Sequence, residues 1–281
     1  MIGATRPVVS IQQAVENVLQ RAALAQSAGG RLLGIPSGFK EVDRITLGWQ
    51  SQDLIVIAAR PSIGKTALAL DFAKAAARAG VKVYFASVEM SVEQLATRLL
   101  SSESGINGRS LRLGRLSSDD WQGIEEACSR IVNLKIVIDD TSAITEVQLA
   151  QRVRQANPGL VIIDYLQLMR SAEKAERKDL EIGNITAAMK ALAKELSIPV
   201  ILLSQLNRQV EHRKDQRPRL TDLRESGAIE QDADIVFGIY RNLNRSPKIA
   251  ELICLKHRNG PIGTVMLAFR EELTSFTDLP E

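Results

Sequence analysis

The densest chemistry in the sequence is an eight-residue run, Ala59-Arg60-Pro61-Ser62-Ile63-Gly64-Lys65-Thr66, with Ala67 directly after it. Glycine, lysine and a hydroxyl in this order suit a polyphosphate. Backbone N–H groups at a helix N-terminus point at phosphate oxygens, the lysine neutralises charge, and the hydroxyl reaches a hard cation. The apolar run Leu54–Ala59 ahead of it predicts a strand, and Thr66–Ala79 predicts a helix, the context this chemistry requires. Residues 59–67 are the expected site for ATP and Mg2+. One position departs from the usual loop pattern: Ala59 stands where the first glycine is expected.

Three further runs end in side chains that could act on a bound phosphate. Leu160-Val161-Ile162-Ile163-Asp164 predicts a buried strand with a carboxylate at its tip, the form that stands beside Mg2+ in phosphate-loop enzymes. Asp139-Asp140 also ends a strand-like run and competes for that role. The apolar run ahead of Asp164 is longer, so Asp164 and Thr66 are the expected metal-side pair, and Asp139-Asp140 fits a turn into the next helix. Glu89 follows Val83-Tyr84-Phe85-Ala86-Ser87-Val88 and fits a base for the attacking water. It fits equally an acid favoured at a helix N-terminus. Gln205 ends Val200-Ile201-Leu202-Leu203-Ser204 and fits a sensor of the terminal phosphate, or a plain loop glutamine. Beyond it, Arg208, Arg213, Lys214, Arg217 and Arg219 crowd a polar, proline-interrupted stretch. Such a stretch predicts a mobile loop whose cations suit a nucleic-acid backbone, with a solvated charged surface as the alternative.

The elements that must hold these residues alternate strand and helix. Helices are expected near 92–101, 117–130, 146–155 and 180–196, with Trp121, Ile124 and Ala127 on the buried side of the second. Strands are expected near 81–87, 134–138, 160–163 and 199–203, then near 235–240, 250–256 and 263–269. Alternation predicts a mostly parallel sheet flanked by helices. The last strands have no helices between them and predict an antiparallel C-terminal extension, with the strand at 250–255 at its edge. Ahead of all this, residues 10–27 predict an amphipathic helix capped by Ser10 with Gln13, and glycine-rich residues connect it onward.

The chain has 281 residues, 45% hydrophobic and 25% charged, as in ordinary globular domains. Aromatic residues make up only 4%, which argues against a sandwich fold built on aromatic packing. Net charge is +3, compatible with a nucleic-acid partner without requiring one. Cys128 and Cys254 lack metal-ligand spacing and lie in apolar runs, so both are expected as buried free thiols. No run is apolar and long enough to cross a bilayer, and a cytoplasmic protein with no membrane partner is expected.

Six segments in this order resemble the C-terminal ATPase domain of DnaB-type replicative helicases. They are the loop at 59–66, Glu89-Met90, Ile163-Asp164-Tyr165-Leu166-Gln167-Leu168-Met169, Ser204-Gln205-Leu206-Asn207-Arg208, Asp222-Leu223-Arg224-Glu225-Ser226-Gly227 and Lys256-His257-Arg258-Asn259-Gly260-Pro261-Ile262-Gly263. The resemblance runs from about Gly34 to Phe276, and in that family the loop commonly begins with Ala. It implies a RecA-like α/β fold, a P-loop NTPase, that assembles as a homo-oligomer, usually a hexameric ring, around single-stranded DNA. It implies Glu89 as base, Gln205 as sensor, and Lys256 and Arg258 as residues reaching the neighbouring subunit's ATP. It implies DNA contacts from loops at 170–179 and 207–220 and from Arg224, Glu225 and Gly227, with few aromatics for base stacking. Residues 1–33 resemble the family's linker helix and connector, a subunit-docking arm, and 34–281 the motor domain. Relatives carry a further N-terminal domain, so primase and loader contacts rest on the resemblance alone. A filament-forming recombinase and a non-translocating ATP-gated scaffold share the phosphate loop and are the competing readings.

Overall fold

The computed structural model describes residues 8–27, 29, 32–172 and 177–280, excluding the side chains of residues 21 and 224–226. Its centre is one sheet. Strands β1 (Leu54–Ala59), β2 (Val83–Ser87), β3 (Ile136–Asp139), β4 (Leu160–Asp164), β5 (Val200–Gln205), β6 (Ile235–Arg241), β7 (Ile249–His257), β8 (Gly263–Arg270) and β9 (Ser275–Asp278) lie in the order β3-β2-β4-β5-β1-β6-β7-β8-β9. From β3 to β6 the pairing is parallel; from β6 to β9 it is antiparallel. The expected extension is present, but β6 belongs to the parallel part.

The unbroken apolar runs make sense on a sheet covered on both faces. In β1, Ile55, Ile57 and Ala59 enter one core, while Leu54, Val56 and Ala58 enter the other. The first core packs under α2 (Lys40–Thr46), α3 (Lys65–Arg78) and α4 (Val92–Ser104). The second packs under α7 (Glu146–Ala156), α8 (Lys178–Leu196) and α9 (Gly227–Asp232). Capping boxes start α4 at Ser91, α6 (Ser118–Ile131) at Ser117 and α7 at Thr145, satisfying N–H groups that a helix leaves orphaned. Short α2, α5 (Gly108–Leu113), α9 and β9 carry too few residues to declare a period.

Parallel strands send their C-terminal ends to one rim. Register pairs Ala59 with Gln205 and Ser87 with Asp164, so the four chemical runs finish side by side. Ligands bind at such a rim in open α/β sheets.

Several expectations need correction. β7 lies between β6 and β8 rather than at an edge. Trp121 is 56% exposed, because only Ile124 and Ala127 of α6 turn inward. Cys128 is exposed on the same helix, while Cys254 is buried and its thiol is pushed up to about 11 by burial. The stretch after Gln205 is not a featureless loop: 3-10 turns at Arg208–His212 and Leu220–Ser226 pin it, with Val210 buried. Helix α1 (Ile11–Ser27) forms, and Ser10 Oγ accepts the Gln13 N–H at 3.2 Å. Its apolar residues Ile11, Val15, Val18 and Leu19 remain exposed. Among the described residues no helix is long and apolar enough to cross a membrane.

Candidate nucleotide site and the cations at the opposite rim

Residues 59–66 wrap from β1 into α3. Ala59 is the last residue of β1, paired with Gln205, and has no positive φ; nothing in the backbone requires glycine there. Gly64 is different. Its φ is 114°, and a Cβ would come within 2.8 Å of the Phe276 ring, so both conformation and space exclude a side chain. Phe276 is held by its N–H donating to Asp71 of α3 at 2.7 Å, which ties the far end of the chain to the loop.

Lys65 and Thr66 open α3 and face β4. Thr66 Oγ1 donates to Asp164 Oδ2 at 2.5 Å, and Lys65 Nζ lies 3.3 Å from Asp164 Oδ1. Asp164 is fully buried, and its Oδ1 accepts no hydrogen bond; the contact with Lys65 is an ion pair without hydrogen-bond geometry. Burial pushes the Lys65 ammonium below the usual lysine range, opposed by the charge of Asp164. The ammonium also sits 3.8 Å from the Tyr165 ring centroid. A buried carboxylate oxygen with no donor, beside a hydroxyl, is a hard-oxygen pair suited to Mg2+. No cluster of three acidic, His or Cys ligands exists among the described residues.

A cavity of about 430 Å³ opens over Lys65 and Thr66, lined by loop residues with Glu89, Arg98, Tyr165, Gln205 and Phe269. Glu89 lies at the mouth of β2 and lines this cavity. The cap at the start of α4 is Ser91 instead. Gln205 is positioned through its backbone: Gln167 accepts its N–H at 3.1 Å and donates to Ser204 Oγ at 2.9 Å. Asp139 is absent from the cavity. It binds Thr141, Arg152 and Tyr84, and these bonds outweigh its burial to hold it down to about 2. Asp140 accepts the Val92 N–H at 3.0 Å. Both therefore shape turns.

Arg98, Tyr165 and Phe269 went unrecognised in the sequence. Arg98 projects from α4 between cavity and core, where burial lowers its pKa despite nearby Asp164 and Glu89. As one arginine on an amphipathic helix it carries no local signal.

Arg60 lines the cavity and also reaches the segment after β5. It donates to Leu206 O at 2.7 Å and pairs with Glu211 at 2.6 Å, binding the loop to the segment after β5. In that segment Arg208 and Lys214 make no ion pair or hydrogen bond with the described residues, whereas Arg213 is tied to Asp222 and Arg217 to Glu251. Arg219 lies 4.0 Å from Asp215. Gly227 begins α9. The side chains of Arg224 and Glu225 lie outside the described residues, as does the middle of the 170–179 loop.

Lys256 and Arg258 are elsewhere altogether. Ile235 pairs with both Ile55 and His257, which puts these cations level with the beginning of β1, at the rim opposite the loop. Lys256 Nζ donates to the carbonyls of Glu230 and Ala233. Arg258 donates to Gln231 O and lies 3.5 Å from Asp234.

The same arrangement recurs in known proteins. Residues 34–278 match the model of the DnaB-like helicase C terminal domain. Replicative DNA helicase DnaB of Geobacillus stearothermophilus is 45% identical over 261 residues, covering 89% of this chain and 58% of that protein. Replicative DNA helicase DnaC of Bacillus subtilis is 44% identical, with the same coverage. The chain thus spans a little over half the length of these relatives. A solved ATPase domain superposes with a TM-score of 0.92 at 40% identity, covering 98% of this chain and 100% of that one. A solved DnaB-like replicative helicase, described with its interactions with primase, gives 0.89 at 40% identity, covering 99% and 69%. With the phosphate loop, the buried Asp164 and the RecA-like sheet in agreement with that match, the chain belongs to the family of DnaB-like helicase C-terminal domains.

Proposed function

We propose that this chain is the ATP-hydrolysing motor of a replicative DNA helicase, acting as a ring of identical subunits that moves on single-stranded DNA. One observation carries the reading. The loop, Glu89 and Gln205 line one cavity with Asp164 buried behind Thr66, while Lys256 and Arg258 lie at the opposite rim of the same sheet. Two cations so far from their own phosphate site are useful to hydrolysis only if they face another copy's site.

In this reading Lys65 and the N–H groups of residues 62–67 bind the β- and γ-phosphates. Thr66 and Asp164 hold Mg2+, which neutralises charge on the phosphate oxygens. Glu89 orients water at the cavity mouth and takes its proton. Gln205, fixed by Gln167, contacts the terminal phosphate and passes its loss to the segment beginning at Asn207. Arg258 supplies positive charge in trans, with Lys256 beside it. DNA phosphates are met by Arg208, Lys214 and the segment Arg224–Gly227, giving sequence-independent contact; Arg213 and Arg217 brace that surface. The uncovered apolar stripe of α1 supports docking on a neighbouring subunit. Primase is a proposed partner because the solved relative is described with it, and a helicase loader is proposed from the resemblance. A recombinase is disfavoured by the family match, and a passive scaffold has no use for Glu89.

The decisive experiment mixes two inactive chains, Arg258→Ala and Lys65→Ala, and measures ATP turnover with single-stranded DNA. If Arg258, worth about a thousandfold in turnover, acts in trans, a Lys65→Ala subunit lends its arginine to the intact loop of an Arg258→Ala neighbour, and the mixture turns over well above either chain alone. A mixture as inactive as its components would remove Arg258 from the trans role and, with it, the interfacial site.

A further inference from the structure

The family reading leaves unexplained what holds Lys256 and Arg258. Their side chains end on one short element. Helix α9 has six residues, and its C-terminal carbonyls have no partner within the helix. Glu230 O and Ala233 O receive Lys256 Nζ, and Gln231 O receives Arg258 Nη2. Asp234 completes the seat. Its carbonyl accepts the Arg258 N–H at 2.9 Å, and its Oδ1 lies 3.5 Å from the guanidinium. Its Oδ2 accepts the Leu54 N–H at 2.8 Å and pairs with Lys190 of α8. The Asp234 side chain is 8% exposed and that of Arg258 44%, so an anchored carboxylate fixes a cation whose far side is open.

The other end of α9 is as informative. Its first residue, Gly227, follows the 3-10 turn Leu220–Ser226 without a break. That turn holds the segment proposed to meet DNA. At about 1.5 Å per residue, six residues put the two ends only about 9 Å apart. Ile229 and Ala233 are fully buried and Ala228 packs close to Gly183 of α8, so α9 is clamped along its length. A displacement at its first residue reaches its last carbonyls.

We infer that α9 and Asp234 are a positioning unit: they seat Lys256 and Arg258 and make the pose of these cations depend on whether the Arg224–Gly227 segment holds DNA. DNA bound on one subunit would thereby set the cations presented to its neighbour's ATP. The inference rests on the proposed trans role of Arg258, and its test separates the two.

The test uses the assembled protein and compares ATP turnover with and without a polythymidine strand. In Asp234→Asn an acceptor for the Leu54 N–H is kept, and the negative charge facing Arg258 and Lys190 is lost. Stimulation by DNA is expected to fall about fivefold or more, with KM for ATP within about twofold of wild type. A second variant, Ala228→Gly, softens α9 without changing any residue that supplies a carbonyl or carboxylate to the seat. It is expected to lose stimulation while retaining DNA affinity, measured by fluorescence anisotropy of the labelled strand. If Asp234→Asn does not assemble, the glycine variant decides. Full stimulation in the variants that assemble overturns the inference. Should the Arg258→Ala and Lys65→Ala mixture recover turnover while stimulation survives in these variants, the trans role stands and the seat falls. A mixture that recovers nothing removes the trans role and the inference with it.

Discussion

The two rims of the sheet differ in how they hold charge. At the phosphate rim, Lys65 meets Asp164 in burial and one carboxylate oxygen has no hydrogen-bond donor. At the opposite rim, Lys256 and Arg258 are held on one side by the carbonyls of Glu230, Gln231 and Ala233 and by Asp234. The first is a site suited to an incoming ligand, with an ammonium and an unused acceptor oxygen in reserve. The second holds its cations in place and offers them outward. On the proposed function, this contrast divides the catalytic unit between copies: one rim binds, the other is presented.

The comparison breaks most sharply at Lys65. Lys65→Ala is expected to cut ATP turnover about a thousandfold or more, read in a coupled phosphate-release assay; near-normal turnover would leave the phosphate rim without its defining residue. Glu89→Gln sharpens it, separating binding from chemistry. Nucleotide affinity, measured by calorimetry, is expected to hold while hydrolysis drops about a hundredfold to ten-thousandfold. Normal hydrolysis would return Glu89 to an incidental place at the cavity mouth.

The smallest effect belongs to the opposite rim. Asp53 there is raised from 3.8 to about 6, by burial first and by the neighbouring charge of Asp234 second. A raised carboxylate favours the fold below its unfolded pKa, and this contribution is lost as pH climbs through about 6. Asp53→Asn is therefore expected to raise the melting temperature at pH 8 and leave it unchanged near pH 3. Partial exposure reduces the gain to about 1 kcal/mol. A gap that did not grow between these pH values, followed by circular dichroism, would dissociate Asp53 from the charge balance around Arg258.

Strands and long helices were legible because burial on a two-faced sheet leaves continuous apolar runs, as at Leu160–Ile163, and helices leave their own period. Boundaries slipped only by short spans. The phosphate loop, Asp164, Glu89 and Gln205 were legible for a related reason: each sits at the end of such a run, and parallel pairing brings run ends together. Trp121 and Cys128 were misplaced because an apolar residue type does not say which side of a two-sided helix it occupies. Asp139 and Asp140 competed with Asp164 until their partners were visible.

What the sequence determined by itself was local: the loop proposed to bind phosphate, the strand tips around it, and the family to which their order points. Only the tertiary structure decided what no run can encode. It buried Asp164 with an oxygen left open, turned Arg98 into the cavity, set β7 inside the sheet, and seated Lys256 and Arg258 on α9 at the far rim. The physical reason is distance along the chain. A strand carries its own burial in its composition, but a contact such as Arg258 with Asp234 arises only when separate segments are laid side by side.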